Sequence, residues 1–249
     1  MRSSSASHID SSARSKHLSP EQAWAPGPLS PRLDADTVHV WRADLAQDHD
    51  GVCELLSDDE RARSARLAQP RDSAQWARSR GILRALLALY LGRDGAALSF
   101  TVSPHGKPAL APDPSAGEAG RELSFNLSHC GAVALYAFSS PMAVGVDVEL
   151  ERDATNVVAL AQRLFGSDEA RRLEGLDHDS RQREFFKSWV RHEAELKCLG
   201  VGIGGAPPSL ERSQRPWLAE LDTGVEELAA AVAVESGPRQ LCCWSWPAA

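Results

Sequence analysis

Between Ala143 and Glu149, three valines (Val144, Val146 and Val148) alternate with Gly145, Asp147 and Glu149. That two-residue period fits only a half-buried strand, with one apolar face and one face holding two carboxylates about 7 Å apart. Further along, Phe185, Trp189, Leu196 and Leu199 form a stripe on a helix expected over about residues 180 to 199. Glu193 and Lys197, four apart, share a face of it. If strand and helix meet, three carboxylates and one ammonium converge. That combination can hold a hard divalent cation beside a phosphate ester.

A chain of 249 residues is long enough for one large domain or two small ones. It contains no run of 18 apolar residues, so no membrane span is expected. The polar N-terminus lacks the apolar region of a secretory signal, and the five cysteines show no metal-type C-x-x-C spacing. Both point to a cytoplasmic protein with reduced thiols. The formal net charge of -7 argues against a nucleic-acid partner. The charge is uneven, however. Arg61, Arg63, Arg66, Arg71, Arg78, Arg80, Arg84 and Arg93 face the single acid Asp72 across residues 61 to 93, which suggests a local anion site or merely solvated helix faces.

Residues 1 to 35, rich in Ser, Ala and Pro, are expected to be disordered or loosely attached. A strand is expected from Thr37 to Trp41 and a helix capped by Ser57. Pro70 to Ser73 should break that helix, and a second runs from about Ala74 to Leu91 with Trp76, Leu83, Leu86, Leu87 and Tyr90 on one face. Leu98 to Val102 reads as a strand. Ser128 to Gly131 reads as a tight turn between strands at Leu123 to Leu127 and Ala132 to Phe138. Helices follow at Val157 to Phe165 and Ala170 to Leu176. Gly202 to Gly205 is a loop after the long helix, not a dinucleotide fingerprint. Strands at Trp217 to Leu221, Ala229 to Val234 and Leu241 to Trp246 close the chain. The mixture points to an α+β fold.

Taken singly, each chemical residue has an ordinary reading. Asp147 and Glu149 could sit on the wet face of an edge strand. Glu193 and Lys197 could be a surface pair worth about 0.3–0.5 kcal/mol. Lys107 could be a turn lysine, and His129 a hairpin histidine bonded to backbone. Their co-occurrence favours a site. His192-Glu193 is not the zinc-protease motif, because Leu196 stands where its second histidine belongs.

In order, Gly106-Lys107-Pro108, Phe125-Asn-Leu-Ser128-His129, Gly145-Val-Asp147-Val-Glu149 and Trp189-x-x-x-Glu193-Ala-x-x-Lys197 resemble the 4′-phosphopantetheinyl transferases of the large, surfactin-synthetase-activating type. The likeness runs from about Val38 to the C-terminus. It implies two similar α+β halves with pseudo-twofold symmetry, residues 36–138 and 139–249, with a coenzyme A cleft between them and a monomeric state. It implies transfer of the phosphopantetheine arm of coenzyme A to a serine of an acyl or peptidyl carrier protein, with Mg2+ and release of 3′,5′-ADP.

By the same resemblance Asp147, Glu149 and Glu193 are metal ligands, Glu193 is the base, and Lys197 supplies positive charge to the leaving group. Lys107, Ser128 and His129 grip the 3′-phosphate and adenosine end, with Arg80 and Arg63 as further anion binders. Two positions depart from the pattern: His192 replaces a common lysine, and Glu60 lies where some members carry a basic residue. The alternatives are a catalytically idle relative that binds coenzyme A or carrier proteins, and an unrelated magnesium phosphotransferase. The lack of P-loop and kinase motifs argues against the latter.

Overall fold

The computed structural model describes residues 24–112, 122–201, 215–238 and 240–247. The strands are β1 (Ala25–Pro26), β2 (Thr37–Asp44), β3 (Phe100–Val102), β4 (Pro108–Leu110), β5 (Ser124–Cys130), β6 (Val133–Ser139), β7 (Val144–Leu150), β8 (Trp217–Glu220), β9 (Leu228–Val234) and β10 (Gln240–Ser245). The helices are α1 (Asp58–Ala65), α2 (Pro70–Leu91), α3 (Val157–Leu164), α4 (Ser167–Glu174) and α5 (His178–Leu199).

Side-chain alternation decides the layering. In β2, Val38 and Val40 face one way and Trp41 and Ala43 the other; in β6, Leu135 and Ala137 oppose Ala134, Tyr136 and Phe138. The second set meets Leu83, Leu86 and Leu87 of α2. The first set meets Val144, Val146 and Val148 of β7 and Val232 and Val234 of β9. The remaining face of β9, Ala229, Ala231 and Ala233, packs on Phe185, Phe186, Val190 and Ala194 of α5. The result is four layers: α2, a first sheet, a second sheet, α5. Small alanines on β9 let the long helix lie close to the sheet.

The first sheet has the order β1-β10-β2-β6-β5, and the second β7-β9-β8. β10 runs parallel to β2 and β1, so the last strand of the chain completes the sheet that holds the early strands rather than the one that holds β7. Parallel neighbours need a long crossover, and here the whole intervening chain supplies it. Within residues 24 to 35, expected to be loose, β1 pairs with β10, Trp24 Nε1 donates to Asp222 O, and Leu33 packs on the core. Residues 1 to 23 lie outside the described residues, as does the Gly202 to Gly205 loop.

Three local expectations are corrected. Ser128 and His129 belong to β5 rather than a turn, because the ladder runs to Cys130↔Val133 and only Gly131 (φ 56°) and Ala132 turn the chain. Pro70 starts α2 instead of preceding it, since proline at the first helical position loses no hydrogen bond. Ser167 is the first residue of α4, and Gly166 precedes it. Ser57 and Glu60 form a full capping box at α1, with Glu60 N donating to Ser57 Oγ and Ser57 N to Glu60 Oε2.

Candidate active site

The polar face of β7 is not wet; α5 covers it. Gly145 makes this possible, because a Cβ there would overlap Ala194 O and Cys198 N of the helix backbone. At that distance Asp147 and Glu193 are both buried, 3% and 4% exposed, while Glu149 is half-buried. Lys197 Nζ donates to Asp147 Oδ1 at 2.6 Å, to Ser128 Oγ at 3.1 Å and to Val146 O at 3.2 Å. Ser128 Oγ donates to Asp147 Oδ1 at 2.9 Å. The other oxygen, Asp147 Oδ2, is buried with no hydrogen-bond partner.

One ammonium does not neutralise three carboxylates. Burial raises the pKa of Glu193, and the charges of Asp147 and Glu149 raise it further against the opposing pull of Lys197. Glu149 is raised in the same way, by burial and then by Asp147, although Trp189 hydrogen-bonds to it. Among the described residues no group of three or more His, Cys, Asp or Glu side chains is close enough to form a ready-made metal cage. Magnesium does not require one: it commonly takes one or two protein carboxylates and completes its shell with phosphate oxygens and water. An orphaned, buried carboxylate oxygen with two strained carboxylates beside it fits that mode of binding.

Lys197 and Ser128 also line a cleft of about 720 Å³, walled by Arg63, Trp76, Arg80, Phe100, Leu127 and His129. His129 stands open at this wall; neighbouring protein and then the Lys197 ammonium lower its pKa. Arg80 is less available than expected. Its Nε and Nη2 both donate to Glu60 Oε1, at 3.0 and 2.8 Å, and its guanidinium lies over Phe100. Arg84 is fully buried: Nε donates to Glu60 Oε2 at 2.6 Å and Nη1 to Gly95 O and Leu98 O. Burial works against the Glu60 charge, but the hydrogen bonds from Ser57, Arg80 and Arg84 outweigh it and lower its pKa. Glu60 is thus an internal counter-ion to Arg80 and Arg84. Arg63 lies over Trp76, 5.5 Å from the ring centroid. It has no ion pair among the described residues.

Lys107 and His192 do not line this cleft. Lys107 was expected to grip phosphate. Its Nζ donates to Val144 O at 3.0 Å and Lys197 O at 2.7 Å, because the short β3–β4 hairpin aims it at the end of α5. Ser128, expected beside it on the phosphate, does line the cleft, while its hydroxyl donates to Asp147 Oδ1 and accepts from Lys197 Nζ. His192 lines a separate cavity of about 460 Å³ with Phe165, Glu169, Arg172 and Arg215, so it stands apart from the anion-binding cleft. Sequence reasoning missed two residues. Asn126, a polar residue inside an apolar strand, accepts from Val146 N at 2.9 Å through its buried Oδ1. Trp76, assigned to the core face of α2, walls the cleft.

Comparison with known proteins places the chain in a family. Residues 143–231 match the family model described as the 4′-phosphopantetheinyl transferase superfamily, and residues 40–140 match that of the 4′-phosphopantetheinyl transferase N-terminal region. The chain is 36% identical to the 4′-phosphopantetheinyl transferase HetI of a Nostoc species over 74% of its own length and 77% of that protein. It is 34% identical to the 4′-phosphopantetheinyl transferase AcpT of Escherichia coli K12 over 55% of its length and 70% of that protein. A 4′-phosphopantetheinyl transferase of Bacillus subtilis is 26% identical over 67% of the chain and 70% of that protein. The chain belongs to the 4′-phosphopantetheinyl transferase superfamily. It is a transferase of mixed α and β structure, and no described helix is long and apolar enough to cross a membrane.

Proposed function

We propose that this enzyme moves the 4′-phosphopantetheine arm of coenzyme A onto a serine of an acyl or peptidyl carrier protein and releases 3′,5′-ADP. The observation that supports it most is the convergence of Asp147, Glu149, Glu193 and Lys197 from β7 and α5, beside a cationic cleft of nucleotide size. In this reading the serine oxygen bonds to the phosphorus bearing pantetheine as the bond to the 3′,5′-ADP oxygen breaks. Glu193 takes the serine proton, directly or through water. Its raised pKa suits that task, because a base closer to neutrality keeps the proton more readily. Lys197 offers positive charge where the leaving oxygen gains its negative charge.

Asp147, Glu149 and Glu193 would hold Mg2+, which when bound would supply charge neutralisation for the diphosphate. Within the cleft, Arg63 and His129 are the anion binders with free faces, and Arg80 joins them by releasing one of its bonds to Glu60. The finer family traits belong to the same proposal: the large surfactin-synthetase-activating type, two pseudo-symmetric halves divided near residue 139 with the final strand returned to the first half, and a monomer at work in the cytoplasm. The test is mass spectrometry of an apo carrier protein incubated with the enzyme, coenzyme A and MgCl2. A gain of one phosphopantetheine is expected, and Asp147→Ala is expected to abolish it. A fully active Asp147→Ala enzyme refutes the metal assignment.

A further inference from the structure

β5 and β7 lie at the edges of their sheets, and side chains rather than a ladder join them. Val146 N donates to Asn126 Oδ1, Val146 O accepts from Lys197, and Asp147 accepts from Ser128. Two residues along the same edge, Val144 O accepts from Lys107 Nζ at 3.0 Å, and that ammonium also donates at 2.7 Å to Lys197 O. Lys197 O lies in the last turn of α5, where the helix dipole is negative, and it also accepts from the C-cap Gly200 N at 3.3 Å. An ammonium has three donors and no acceptor. Lys107 commits two of them to the two elements that carry the carboxylates. Between these anchors, Gly145 brings strand and helix backbones into contact. A Lys107 ammonium turned to a phosphate in the cleft gives up both carbonyls, which leaves Val144 O without this donor and Lys197 O with Gly200 N alone.

We propose that Lys107 is a positioning residue of the transfer reaction: it clamps β7 to the C-terminal turn of α5 and thereby fixes the separation of Asp147 from Glu193 and Lys197. This role differs from the phosphate grip that its motif suggests, and it rests on the transferase reading above. Loss of the clamp lets strand and helix drift, and a misplacement of about 1 Å can cost on the order of 10²-fold in rate.

The experiment compares the full-length enzyme with Lys107→Met and Lys107→Arg, using apo carrier protein and either coenzyme A or 3′-dephospho-coenzyme A, well below the melting temperature of each variant. Lys107→Met is expected to lower kcat by about tenfold or more, keep KM for coenzyme A within about twofold, and leave the preference for coenzyme A over the dephospho form unchanged. Lys107→Arg, which can still donate to both carbonyls, is expected to recover part of kcat. The ligand-free Tm of Lys107→Met is expected to fall. The proposal is overturned if Lys107→Met keeps kcat and Tm, raises KM for coenzyme A and erases the preference. If Lys107→Met does not fold, Lys107→Gln, whose amide can donate to one carbonyl, takes the same measurements with the same deciding outcomes. A wild-type enzyme that modifies no carrier sinks the transferase reading, while the ligand-free Tm of Lys107→Met still reports on the clamp.

Discussion

Two charge clusters flank the cleft, and they are built from similar materials to opposite ends. Around Glu60, one carboxylate meets two guanidiniums and a backbone N–H, and its pKa falls. Around Asp147, three carboxylates share one ammonium, two of them are pushed toward protonation, and one buried oxygen has no partner. The first cluster is electrostatically complete and holds α1 to α2 and to the loop before β3. The second is incomplete and gains from a further positive charge. A buried ionic group whose partners are all present reads as architecture, and one that lacks a partner reads as a place for a ligand.

The sharpest way to break this contrast is to neutralise Glu193. Glu193→Gln is expected to lower kcat/KM by about 10²–10⁴-fold, the usual worth of a positioned base, and to leave the ligand-free Tm unchanged or higher, since it removes a crowded charge. Carrier-loading kinetics and thermal unfolding check the two halves of this statement. A variant that unfolds would put the second cluster in the same structural class as the first.

The mirror experiment is Glu60→Gln. Arg84 is only 2% exposed and would keep its charge while losing its carboxylate. Breaking such a buried pair costs about 3–5 kcal/mol, so urea unfolding should show a loss of that order. A loss below about 1 kcal/mol would mean that the carbonyls of Gly95 and Leu98 satisfy Arg84 by themselves.

A third group shows that a shifted pKa does not by itself mark function. His39 is buried among Tyr90, Trp41 and Trp244, and burial lowers its pKa from 6.5 to about 4. It is nonetheless satisfied: Trp41 Nε1 donates to Tyr90 Oη, which lies 2.8 Å from His39 Nδ1. The folded state keeps His39 neutral while the unfolded chain protonates below pH 6.5. Stability from this residue is therefore full above pH 6.5 and is lost as pH falls toward 4. At pH 5 the loss is about 2 kcal/mol. His39→Phe is expected to flatten that part of the stability profile with kcat at pH 7.5 unchanged; an unaltered acid slope would remove His39 as its source.

The sequence exposed one half of each cluster more clearly than the other. The alternation of Val144 to Glu149 was enough to place two carboxylates on one strand face, and the helical stripe through Trp189 was enough to place Glu193 with Lys197. That α5 would cover the strand face, rather than leave it wet, depended on Gly145 meeting residues about fifty positions later, which no local period encodes. Arg80 and Arg84 looked like free cations because their partner Glu60 comes from another helix, where it stood out only as a departure from the family pattern. The partners of Lys107 were hidden for a related reason. A long, flexible side chain after a turn can reach several targets, and its two carbonyls come from sequence positions 144 and 197. The strand at Gln240–Ser245 was recognisable by composition, but its parallel partner β2 was not, because register between distant strands is set by layer packing.

The last contrast is among the cleft cations. Arg80 and Arg84 are held by Glu60 and Lys197 by Asp147, so Arg63 is the arginine of the cleft wall without a described carboxylate partner. Its guanidinium lies over Trp76, which orders the side chain and leaves its N–H edge free for a phosphate. An anion such as a 3′-phosphate should find Arg63 before it can displace Glu60 from Arg80. Arg63→Ala is therefore expected to raise KM for coenzyme A about tenfold, equivalent to about 1.4 kcal/mol, with kcat nearly unchanged. The same variant should lose most of its preference for coenzyme A over 3′-dephospho-coenzyme A. Steady-state kinetics with both substrates decide the matter. If KM and preference hold, the anion draws Arg80 away from Glu60, and the first cluster is then a switchable part of the site rather than a finished piece of architecture.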